Sequence, residues 1–176
     1  MRTFFIILIA LPLCLFGDDS MLSHVVTPRG ENNPLKENKA LVKEFYESIE
    51  KNDVTTMNGL LSSSYKVQDS NVVFDSAYSK YDAFSKNLTV RLKSLHDAFS
   101  DLKVNVIEMV AEGNKVLARI QISGVQRGSF LGVEATNKPV IMKVFALLTI
   151  NGGKISHLNE SWNELGVMKQ MGYIIL

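Results

Sequence analysis

Two stretches in the second half of the chain alternate apolar residues with a period of two, and nothing else in the sequence limits the fold as much. Val116, Ala118, Ile120 and Ile122 form one set; Val140, Met142, Val144, Ala146, Leu148 and Ile150 form another. Side chains on a strand point to its two faces in turn, so each set predicts a strand with one buried face. Leu102, Val104 and Val106 begin a further strand after Asp101, and Ile107 and Met109 continue it in the opposite phase. That slip predicts a bulge near Val106. Glu112-Gly113-Asn114 turns the chain, and Asn151-Gly152 is a hairpin signal leading into a last strand.

The first half follows the helical period instead. Asn33-Pro34 has the form of a helix start, and Leu41, Val42, Phe45, Tyr46 and Ile49 then share one face through about Lys51. Phe45 and Tyr46 read as helix-packing residues that can also line a cavity. Asp53 can cap a short second helix carrying Met57, Leu60 and Leu61, followed by a short strand with Tyr65 and Val67 on one side. Ser79-Lys80-Tyr81-Asp82 resembles a capping box ahead of Phe84, Leu88, Leu92, Leu95 and Phe99, which predicts a third, long helix. Asn163 to Met171 closes the chain as a short helix. Helices followed by consecutive antiparallel strands make the fold class α+β, and a long bent sheet around a helix leaves one end open as a pocket.

Residues 1–17 stand apart. Arg2 precedes an uncharged, mostly apolar run from Phe4 to Phe16 and then Gly17-Asp18-Asp19, the plan of a secretory signal. The run is shorter than the ~20 residues of a membrane span. The expectation is a signal peptide at 1–17, a polar linker at 18–33 and a domain at 34–176. Export, periplasmic or secreted, follows, without stable membrane insertion of the mature domain. Leu15-Phe16-Gly17 is a poor cleavage site. "LPLC" matches a lipoprotein box loosely, because Leu13 stands where Gly or Ala is expected, so lipid anchoring at Cys14 is the lesser reading. Cys14 is the single cysteine, which removes disulfides, thiolate catalysis and cysteine metal sites from the domain. With Arg2 set aside, 18 of the 19 basic residues face 18 acidic ones, interspersed and without a Lys/Arg block. That balance argues against nucleic acid or an anionic membrane as partner. His24, His96 and His157 are the only histidines and no pair has metal-ligand spacing, so no metal is expected.

The stretch "HLNESWNELG" (157–166) carries the candidate chemistry. On a strand, Leu158, Glu160 and Trp162 share one face. A carboxylate in such a partly dry place has its charged form disfavoured, which suits a group that exchanges protons near neutral pH. The alternative is that Glu160 pairs with Arg119 or Arg91 and only ties elements together. His96 leans toward the buried side of the third helix, where it either assists Glu160 or answers the dipole at the helix C-terminus. Tyr65, Gln68 and Gln121 are hydrogen-bonding residues on segments that can line a pocket, and Leu158 and Trp162 supply its apolar wall.

"HDAFSDLKVNV" (96–106), "GNKVLARIQISGVQRGSFLG" (113–132) and "GGKISHLNESWNELGVMKQMG" (152–172) resemble the SnoaL-like polyketide cyclase (ester cyclase) family, within the nuclear-transport-factor-2-like superfamily. The likeness spans about Asn38 to Gly172. It implies a cone-shaped fold with N-terminal helices packed in a strongly curved, mostly antiparallel sheet enclosing a pocket. The family's Gly-Lys-Ile, acid, Trp pattern falls on Gly153-Lys154-Ile155, Glu160 and Trp162. It implies Glu160 as general acid/base and no cofactor. Leu158, Gln126 and Gln68 stand where the family often has histidine. Two functions remain open: an ester cyclase or isomerase acting on an apolar carbonyl compound, and a non-catalytic exported cone-fold module that binds a small apolar molecule or dimerises. Ile141, Phe145 and Leu147 on the outer sheet face point to a homodimer.

Overall fold

Asn33 opens the first helix because its side-chain oxygen accepts hydrogen bonds from the Leu35 and Lys36 amides, with Pro34 at the first helical position. In the computed structural model the described residues are 33–67 and 87–173. They form α1 (Pro34–Glu50), α2 (Val54–Gly59), β1 (Leu61–Val67), α3 (Leu88–Ala98), β2 (Phe99–Glu112), β3 (Lys115–Gln126), β4 (Pro139–Asn151), β5 (Lys154–Trp162) and α4 (Glu164–Met171). The expected signal peptide, the expected linker apart from Asn33, Cys14, Gln68 and the Ser79 capping box lie outside these residues. No described helix is long and apolar enough to cross a membrane.

The five strands make one sheet in the order β1-β5-β4-β3-β2, antiparallel except for β1 beside β5. The fold class agrees with the α+β reading of the sequence and with the curved, mostly antiparallel sheet that the family resemblance implies. β2 bends twice, where its register slips between Ser100 and Lys103 and again between Val106 and Glu108. The first slip holds Asp101 at a φ of 55°, and the second is the bulge that the phase change at Val106 predicts. The curled sheet receives α1 and α3 on its concave face. Val42, Phe45 and Ile49 from α1 and Leu92 and Leu95 from α3 share one buried core with Val116, Ala118, Ile120, Val144, Ala146 and Leu148 of the sheet.

The third helix differs from its expectation at both ends. Asn87 is extended (φ −123°, ψ 108°) and its side chain accepts from Thr89 and Val90, so α3 begins at Leu88. At its other end Phe99 already belongs to β2. Behind that junction, Arg127 and Gly128 donate their amides to the Ala98 carbonyl at 2.8 and 3.0 Å. A Cβ at Gly128 would overlap the Asp97 carbonyl oxygen, which explains glycine there. Gln126 is wholly buried, and its amide holds the loop after β3 through the Val133 and Glu134 carbonyls and the Thr136 hydroxyl.

β5 ends opposite Val144, so the start of β4 runs on without it. There the Gln170 side chain of α4 stands in for a strand: its amide oxygen accepts from the Ile141 amide at 2.8 Å and its nitrogen donates to the Ile141 carbonyl at 3.0 Å.

Candidate functional site

β5 turns Glu160 inward beside Leu158, and the carboxylate meets two side chains brought in by helices. The Tyr46 hydroxyl of α1 donates to Glu160 Oε1 at 3.0 Å. The Arg91 guanidinium of α3 is ion-paired with Oε2. The side chains of Glu160 and Arg91 are 10% and 20% exposed, and Tyr46 is buried. The carboxylate therefore does not sit in a purely apolar place, because a cation and a phenol lie on it. Of the two arginines weighed as partners, Arg91 is the one that pairs; Arg119 instead faces Glu108 across the outer side of β2 and β3.

Each partner is electrostatically suited to its place. Burial, and then the Glu160 charge beside it, push the Tyr46 phenol well above its ordinary range, so it stays protonated and donates. Burial opposes the charge on Arg91, but the carboxylate and the neighbouring phenols outweigh it and the guanidinium titrates higher than usual. Burial, followed by Glu160, also raises the Tyr65 phenol, with Arg91 working the other way. Both phenols therefore titrate higher folded than unfolded. Above about pH 10 the unfolded chain has released these protons while the folded protein still holds them, so stability falls as pH rises. The urea midpoint should be level from pH 8 to about 9.5 and drop beyond it, with a shallower drop in Tyr46→Phe. A midpoint that stays level to pH 11 would contradict the burial of the phenols.

A hollow of about 30 Å³ adjoins the carboxylate, bounded by Tyr46, Arg91, Glu160, Met57, Leu95 and Ile122 among others. That is space for one or two waters. The other residues singled out from sequence fall in different places. Leu158 is buried core, and Trp162 packs half-buried against it. Tyr65 lies on β1 with its hydroxyl buried. Gln121 sits between Ile120 and Ile122, on the outer face of β3. His96 is in the last turn of α3 and its Nε2 lies 2.8 Å from the Ile49 carbonyl oxygen, tying α3 to α1 rather than lining the hollow. Tyr46 was legible as a helix-packing residue able to line a cavity, which it does, but not as a partner of Glu160; the signal for that was a phenol on an apolar helix face, since a buried hydroxyl needs a partner.

The fold recurs in solved structures. AclR from Streptomyces galilaeus, provisionally described as a hydroxylase, superposes with a TM-score of 0.67 at 21% identity, covering 81% of this chain and 89% of its own. IdmH from Streptomyces antibioticus, provisionally a polyketide cyclase, gives 0.63 at 18% identity, with 77% and 98% covered. An LEH-like epoxide hydrolase from M. tuberculosis gives 0.56 at 13% identity, with 78% and 91% covered. No curated protein sequence matches the chain. Residues 40–171, most of the chain and including all three residues at the carboxylate, match the family described as SnoaL-like polyketide cyclase, and the protein belongs to that family.

Proposed function

We propose that the protein is a cyclase- or isomerase-type enzyme in which Glu160 moves a proton at a carbon next to the carbonyl of an apolar molecule. The observation that carries this reading is the inward carboxylate with a protonated phenol on one oxygen and a guanidinium on the other. Among the described residues, Oε1 is held by the Tyr46 hydroxyl. A substrate carbonyl that takes over that hydrogen bond frees Oε1 to accept the α-proton. The C–H electron pair moves into the enolate, whose oxygen is stabilised by the Tyr46 donor. The enolate carbon then attacks a second carbonyl to close a ring, and the new alkoxide takes the proton back from Glu160; alternatively, an enolate conjugated with a double bond is reprotonated by Glu160 at its far carbon, which isomerises it. Arg91 keeps the other oxygen in place throughout.

Deuterium incorporation at the α-carbon of a small β-keto ester in D2O, followed by NMR, tests the step. Wild type should exceed the rate in a carboxylate buffer, and Glu160→Gln should not. The small hollow favours a second reading, a module without catalysis, and equal rates for the two proteins would select it.

The outer sheet face belongs to the same proposal. Leu117 and Leu147 lie directly opposite each other on β3 and β4, and with Ile141 and Phe145 they are exposed, Phe145 by 54%. A second copy of the chain covers this surface. Sedimentation should give a dimer for wild type and a monomer for Phe145→Lys. A monomeric wild type at all concentrations removes the dimer.

A further inference from the structure

Among the described residues the Tyr65 hydroxyl is buried without a hydrogen-bond partner. On β1 its neighbour Lys66 lies beside His157 of β5, and both are exposed. Strand alternation therefore turns Tyr65 to the same face as Ser156, Leu158 and Glu160, one strand over from the carboxylate. Glu160 is the nearby acceptor by charge, yet among the described residues its carboxylate is engaged by Tyr46 and Arg91 and no hydrogen bond joins it to Tyr65. Tyr65 is thus an O–H donor with nothing to donate to, and a buried donor left that way carries its full desolvation cost. Such a cost is recovered when a molecule bound beside Glu160 supplies the missing acceptor.

We propose that Tyr65 is a ligand anchor, donating its hydroxyl hydrogen to an oxygen of the bound molecule other than the carbonyl at which Glu160 works. The ligand class is a molecule with two acceptor oxygens, such as a 1,3-dicarbonyl compound. The inference rests on the proposed site for the identity of the first carbonyl, but the orphaned donor stands apart from any turnover. Tyr65 is a specificity residue in this account, and Tyr46 and Glu160 remain the groups at the reacting atoms.

The test opposes stability to affinity in one variant. Tyr65→Phe keeps the ring and removes the unpaired hydroxyl, so its melting temperature should rise by about 2–5 °C. The same variant should bind pentane-2,4-dione about tenfold more weakly in an NMR titration, while its affinity for pentan-2-one stays that of wild type. A variant that melts at or below the wild-type temperature overturns the proposal, because the hydroxyl then has a partner in the free protein. An unchanged affinity for the dione overturns it, and so does a wild type that binds the dione no better than the ketone. These titrations read affinity alone, so Glu160→Gln can fail in deuterium exchange without touching their outcome.

Discussion

Arg91→Met should lower stability by about 3 kcal/mol, read as a shift in the urea midpoint. The guanidinium is the only cation paired with Glu160 in the hydrogen bonds and ion pairs described above, and that carboxylate is 10% exposed. Removing one member of a buried pair leaves the other charged and poorly solvated, which typically costs 3–5 kcal/mol. The lower end applies because Arg91 itself is 20% exposed and Tyr46 continues to donate to the carboxylate. The double variant Arg91→Met/Glu160→Gln removes both charges and should recover most of the loss. A single-variant loss under about 1 kcal/mol would assign the pair the value of a surface contact instead.

Glu160→Gln should reduce α-proton exchange by about 10²–10⁴-fold while the protein remains folded. The amide matches the carboxylate in shape, and its oxygen can still accept from Tyr46 or Arg91, so positioning changes little. What it lacks is the basic oxygen that takes the proton. Tyr46→Phe should fall between the two, because the base survives but the enolate oxygen loses its donor. Circular dichroism and melting curves on each variant separate a lost base from a lost fold. Full exchange by Glu160→Gln in a folded protein would end the proposal that this carboxylate is the base.

The strands were readable in advance because alternation is a local property that tertiary packing only reinforces. The buried sets Val116 to Ile122 and Val140 to Ile150, and the β2 bulge after Val106, all follow from which neighbours share a face. The start of α3 was not readable in the same way. Asn87 competes with the Ser79 box as a cap, and both carry the side-chain oxygen that a cap needs. At the site, the inward face of Glu160 was legible, but its partner was not, because Arg91 and Arg119 differ only in where the helix and the sheet meet. Gln121 shows the opposite case. Its position between Ile120 and Ile122 already placed it on the outer face, so alternation alone argued against it as a pocket residue.

The hold of Gln170 on Ile141 reaches beyond local packing. A strand that outlasts its neighbour offers bare amide and carbonyl groups, and these invite another polypeptide to add itself in extended form, the route to aggregation. One glutamine side chain occupies both groups at Ile141. A short C-terminal helix thereby guards the seam at which β4 outruns β5.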